Sequence, residues 1–239
     1  MWGEFLGAGR VPVRATEVTD GGGACTCRRC GAERTEVIPK TGESPGDGGA
    51  NCPGRRFTDM PAAGNWAHAG IDFALKQGLF NGMSSTTCEP DGSRTRAMLV
   101  TVLWRMDGKP DTAGGSSFTD VPRGQWYTEA VAWAAENGVV HGVGGGKFEP
   151  DGNVTREQIA TVLYRYAGLR GVPTGGRADL GSFPDGGAVS GWAYDALSWA
   201  NAAGLIAGTR EGGVDYLAPQ QNATRAQVAV ILMRYLGAA

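Results

Sequence analysis

From residue 57 to the C-terminus the apolar positions fall into two kinds of helical stripe, and the pair of stripes comes round three times. The first kind begins at a tryptophan and is clearest in the second copy, where Trp126, Ala130, Val131, Ala134 and Ala135 recur at helical spacing between charged and amide residues. It closes on a glycine: Trp66 to Gly78, Trp126 to Gly138 and Trp192 to Gly204 are each a step of 12. Glycine takes positive φ without steric penalty, so these positions predict helix stops. The second kind reads i, i+3, i+4, i+7: Leu99, Val102, Leu103, Met106; then Ile159, Val162, Leu163, Tyr166; then Val228, Ile231, Leu232, Tyr235. Each stripe follows a threonine, and Thr95 to Gly108, Thr155 to Gly168 and Thr224 to Gly237 are each a step of 13. Two spacings held through three copies define an internal repeat, which must be read before composition.

Polar and turn-forming residues punctuate the stripes. Each copy opens with Phe57-Thr58-Asp59, Phe118-Thr119-Asp120 or Phe183-Pro184-Asp185, a loop leading to the tryptophan helix. After the helix a short apolar bridge reaches Gly82, Gly142 or Gly208, and a loop with Glu89-Pro90-Asp91-Gly92 or Glu149-Pro150-Asp151-Gly152 follows. The third copy has Ala218-Pro219-Gln220-Gln221 instead, and 16 positions from Gly208 to Thr224 where the others use 13. Thr155 with Gln158 and Thr224 with Gln227 form capping boxes, whereas Met98 leaves Thr95 only half of one. The expected fold is all-α, with three helix-loop-helix repeats at 57–110, 118–170 and 183–239. The matching stripes predict a central core of the three second helices, with the tryptophan helices and loops as three lobes in a pseudo-threefold bundle.

With Phe-x-Asp, the helix from Trp, Gly-x-x-x-Gly, the Pro loop and the Thr-Arg start in this order, residues 57 to 237 resemble the S-layer homology family of bacterial cell-surface modules. In place of the family's Thr-Arg-Ala-Glu this chain reads Thr-Arg-Ala-Met, Thr-Arg-Glu-Gln and Thr-Arg-Ala-Gln. The resemblance implies an extracellular module of the cell wall or surface layer. It would bind secondary cell-wall polysaccharide, often pyruvylated, in grooves between neighbouring lobes.

The residue types suit such a ligand. Arg96, Arg156 and Arg225 follow the Thr caps, where free backbone donors and the helix dipole favour an anion, and a guanidinium grips a carboxylate with two parallel hydrogen bonds. Trp66, Trp126 and Trp192 offer flat faces to sugars, Asp59, Asp120 and Asp185 offer acceptors, and Gly82, Gly142 and Gly208 complete the candidate ligand-binding set. Structural roles compete: Trp as core anchor, Asp as helix cap or Arg partner, Arg as solvated first-turn charge. Arg105, Arg165 and Arg234, near helix C-termini, are explained by the dipole alone. A helical scaffold for a protein partner in surface-layer assembly is the alternative function.

Charge and composition narrow the partners. The balance of 22 basic and 24 acidic residues argues against nucleic acid, and no apolar run is long enough for membrane insertion. Catalysis needs one constellation of different roles, whereas this chain repeats the same residues. Its two histidines, His68 and His141, belong to no nucleophile–base pattern, so no enzyme activity and no required cofactor are expected.

Residues 1–56 are glycine-rich, without a sustained apolar period, and predict a largely irregular segment. Cys25, Cys27, Cys30 and Cys52 lie there, and a zinc site, disulfides and free thiols all stay open for them. A wall-bound protein must be exported, and no leader pattern stands near Met1. An upstream cargo domain and signal are therefore expected outside this chain.

Overall fold

The computed structural model describes residues 21–26, 33–38, 52–112 and 115–238. It divides into two units, residues 1–53 and 54–239.

The first unit contains an antiparallel hairpin of β1 (Gly21–Thr26) and β2 (Glu33–Ile38), with Gly21 opposite Ile38 and Thr26 opposite Glu33. These two strands lie within the segment 1–56 and carry no apolar alternation that the sequence could show. Three glycines open β1, and glycine has neither strand propensity nor an apolar side chain to mark alternation. Cys25 lies on β1, while Cys27 and Cys30 fall outside the described residues, as does any four-cysteine site that includes them.

The second unit is mainly helical. The tryptophan helices are α1 (His68–Lys76), α3 (Thr128–Glu136) and α5 (Tyr194–Ala202); the second helices are α2 (Arg96–Met106), α4 (Arg156–Leu169) and α6 (Arg225–Ala238). Each tryptophan precedes its helix by two residues rather than opening it. The glycine stops act as expected, with Gly78, Gly138 and Gly204 at φ between 66° and 71°. Thr95, Thr155 and Thr224 cap as expected: each hydroxyl accepts from the backbone N–H three residues on, and Gln158 and Gln227 reach back to the Thr N–H. Gly168 does not end α4, which continues to Leu169 until Gly171 takes φ 68°.

The stripes of the three second helices belong to one buried core cluster, as expected, with Met106 half-buried against it. The closest packing is α2 with α3, α4 with α5, and α1 with α6, so each tryptophan helix lies on the second helix of another repeat. The second helices are also tied together at their two ends. At one end the chain segments before them form a cyclic set of backbone bonds: Arg94 N–H to Ala223 O, Ala223 N–H to Val154 O, and Val154 N–H to Arg94 O, at 2.8–3.1 Å. Toward the other end Tyr166 lies 5.9 Å from Tyr235 and its hydroxyl reaches Asp107.

The longer loop of the third repeat is a hairpin of β3 (Thr209–Glu211) and β4 (Val214–Tyr216), turning through Gly212 and Gly213, both at positive φ. A two-residue loop of that geometry matches the twist of the flanking strands. Among the described residues no helix is long and apolar enough to cross a membrane.

Candidate functional site

The start of every second helix is wired to the loop of another repeat. The first two helical N–H groups of α2, on Arg96 and Ala97, donate to Gly152 O and Pro150 O. Those of α4 donate to Gln221 O and Pro219 O, and those of α6 to Gly92 O and Pro90 O. With the third donor held by the Thr cap, the backbone groups expected to attract an anion are already engaged.

The loops that supply these carbonyls are fixed by the Phe-x-Asp motif. The Asp59 carboxylate accepts from Cys88 and Glu89 N–H, Asp120 from Phe148 and Glu149, and Asp185 from Leu217 and Ala218, all at 2.7–2.9 Å. The second residue of each pair precedes a proline and has φ of 49–57°, a region that non-glycine residues seldom occupy. The aspartates thus hold a strained turn rather than capping a helix or pairing with Arg, and none of them lines a groove. The motif's phenylalanine has its own partner. A Cβ at Gly82 or Gly142 would lie 2.4 or 2.8 Å from the ring of Phe57 or Phe118, so the second glycine is needed for close approach.

Burial would raise the Asp59 and Asp120 carboxyls, but the backbone donors outweigh it and leave both below the ordinary 3.8. Their stabilisation is therefore present above that value and lost as pH falls through the lower folded-state values. Thermal unfolding should show stability dropping below about pH 4. Asp120→Ala should cost about 2 kcal/mol at neutral pH, since two charge-assisted bonds are lost, and should flatten the acid limb.

Three grooves result, each built from all three repeats. The first is lined by the Gly82 turn and α2, with Arg225 from the third repeat and Trp126 from the second. The second combines the Gly142 turn and α4 with Arg96 and Trp192, and the third combines the Gly208 turn and α6 with Arg156 and Trp66. Their volumes are about 160, 420 and 430 Å³ in that order.

Within them the arginines are oriented by backbone oxygens. Arg96 Nε donates to Phe148 O at 2.7 Å, and Arg156 Nε to Leu217 O at 2.8 Å. Arg225 Nη2 donates to Asn81 O. Arg96 stacks over Phe148 and Arg225 over Phe80. Arg156 and Arg225 are each 4 % exposed, so they are not solvated surface charges, and burial lowers the pKa of all three arginines. Arg156 keeps one buried nitrogen, Nη2, without a protein acceptor.

Trp66, Trp126 and Trp192 are 57–61 % exposed, which excludes the core-anchor reading. The arginines explained by the helix dipole also belong here: Arg105, Arg165 and Arg234 line the first, second and third grooves. Arg105 and Arg234 donate to Leu79 O and Leu205 O, in the apolar bridges before the groove glycines. Their threefold recurrence was the signal for a shared site, but a helix C-terminus supplied a sufficient local reason for a cation.

The S-layer homology domain model matches residues 117–160 and 182–229, within the second and third repeats. The chain is 28 % identical over 179 residues to the surface-layer 125 kDa protein of Lysinibacillus sphaericus, covering 75 % of this chain and 15 % of that protein. It is 30 % identical over 180 residues to an endoglucanase of Bacillus sp. (strain KSM-635), covering 75 % and 18 %. It is 28 % identical over 168 residues to an amylopullulanase of Thermoanaerobacterium thermosulfurigenes, covering 70 % and 9 %. The chain thus spans less than a fifth of the length of these relatives. The order of motifs, the three related grooves and these matches together establish that the chain belongs to the S-layer homology family, whose domains serve generally as cell-wall anchoring modules of cell-surface proteins.

Proposed function

We propose that this unit anchors a larger protein to the cell wall by holding an acid-bearing secondary cell-wall polysaccharide, with pyruvyl ketals as the acid, in its second and third grooves. The observation that carries the reading is the composition of each groove: a backbone-oriented arginine from one repeat and an exposed tryptophan from another line it together with a glycine turn. The arginine would receive the carboxylate and the tryptophan the apolar face of the sugar ring. A polymer engaging more than one groove gains by effective concentration, so individually weak sites suffice for an anchor. A protein-partner scaffold is less favoured, because the three exposed tryptophans are distributed one to each groove rather than gathered in one apolar face.

The test is co-sedimentation of the chain with purified wall polysaccharide, native and with its pyruvyl groups removed. Binding to the native polymer and loss with the depyruvylated one is the expected result. Equal binding to both would overturn the arginine–carboxylate mechanism.

A further inference from the structure

We infer that the first groove is a site for a doubly charged phosphate monoester, gripped jointly by Arg94 and Arg225. This rests on reading the grooves as ligand sites, but not on the acid group proposed for the other two.

Arg94 has no counterpart: the residues before the Thr caps of the other repeats are Val154 and Ala223. Its side chain turns into the first groove beside Arg225, and the two residues are 5 % and 4 % exposed. Neither lies within ion-pairing distance of a carboxylate among the described residues. The side-chain bonds of Arg94 are to sulfur, with Nη1 at 3.7 Å from Met83 Sδ and 3.5 Å from Met98 Sδ, and Arg225 Nη1 lies 3.3 Å from Met83 Sδ. Thioether sulfur is a weak acceptor, so it positions a guanidinium without neutralising it. Nε of Arg94 and Nε of Arg225 are both buried with no partner. Burial first, and the neighbouring Arg225 second, lower the Arg94 pKa to about 10, so Arg94 is charged at neutral pH, and burial lowers the pKa of Arg225 as well.

Two buried like charges require a counter-anion. Glu89, and for Arg225 also Asp59, act on the pair without forming an ion pair, so a ligand with one carboxylate would leave part of that charge uncompensated. A phosphate monoester dianion matches the pair in charge and offers three acceptor oxygens to two guanidinium forks. The small volume of this groove, about 160 Å³, suits a compact anion rather than a full sugar residue. The third groove has an additional arginine too, but Arg210 is exposed and lies 3.8 Å from Asp215. Arg105, which also lines the first groove, places one nitrogen on Leu79 O.

Glycerol 3-phosphate is the probe, titrated calorimetrically into the full chain beside dimethyl phosphate and acetate. The expected result is one site that prefers the monoester by at least about tenfold, with affinity rising as pH climbs through the monoester's second ionisation near 6. The titratable neighbours are Asp59, Cys88 and Glu89. Asp59 is held below 3.8 and burial raises the Cys88 thiol above 9.0, so neither contributes to that rise. Arg94→Val, which installs the second repeat's residue, should weaken the monoester by at least about tenfold, and Arg94→Lys should weaken it less. Equal affinity for monoester and diester, a flat pH profile, or an unchanged Arg94→Val would each overturn the proposal. The native-chain comparisons decide it even if that variant fails to fold. Arg94→Val leaves the second and third grooves intact, so its co-sedimentation should keep the dependence on pyruvyl groups, and the two proposals can fail separately. Phosphatase treatment of the polysaccharide separates the sources. Weaker binding of the treated polymer by the native chain but not by Arg94→Val assigns a phosphoryl group on the glycan, and no change assigns a free monoester.

Discussion

Replacing Gly70 by valine is expected to destabilise the helical unit by about 3 kcal/mol, because the residue sits where α1 lies on the backbone of α6. A Cβ there would stand 2.5 Å from Val230 Cγ2 and 2.9 Å from the Val230 Cα and N atoms. A side chain can rotate away from such an approach, but a helix backbone cannot, so α1 must lift and expose the fully buried Ile71 and Ala74. For a unit of this size the loss corresponds to a fall in melting temperature of about 6–12 °C. Gly64→Val is the matched control: nothing lies within 4 Å of its added Cβ. It should stay within about 0.5 kcal/mol of the native chain. Equal losses in the two variants would show that the contact of α1 with α6 is not what the glycine protects.

The second large effect concerns binding and assigns side chains to grooves. Trp192→Ala removes a residue that is 59 % exposed, so it should leave folding nearly unchanged while weakening a wall oligosaccharide by about 2 kcal/mol. Trp192 lies in the third repeat, yet it shares its groove with Arg96 from the first. The double variant Trp192→Ala with Arg96→Ala should therefore be non-additive, with a coupling of about 0.5 kcal/mol or more. Trp66→Ala with Arg96→Ala spans two grooves and should add within about 0.5 kcal/mol. With the polymer, loss of Trp66 and Trp192 together should cost about a hundredfold or more, since avidity is lost together with each site. Coupling between Trp66 and Arg96, and none between Trp192 and Arg96, would reverse the groove assignment.

The helices and their caps were legible in the sequence because they are set by local geometry. Apolar spacing, a Thr three residues before a Gln and a glycine after the stripe each act within one or two turns of chain. What the sequence did not disclose is between repeats. When three copies are nearly alike, packing α3 on α4 or on α2 satisfies the same stripes, and spacing within a repeat is identical either way. The assignment of Arg96 to the Gly142 groove was hidden for the same reason. The partners of the aspartates are not legible in the sequence because they are backbone N–H groups 28 to 33 residues away, and such groups carry no residue identity to recognise. Arg94 carries no mark in the repeat pattern, because Val154 and Ala223 stand at the equivalent positions and the arginine occurs once.

The pairing of α1 with α6, together with the cyclic bonds among Arg94, Ala223 and Val154, makes the set of grooves indivisible. In an open array of repeats, deleting one unit leaves its neighbours working. Here every groove takes its turn from one repeat, its arginine from a second and its tryptophan from a third, so deleting any one repeat takes the number of complete grooves from three to none. The smallest piece that can form a complete groove is therefore the triplet, and a single copy carries the pattern of a site without its walls.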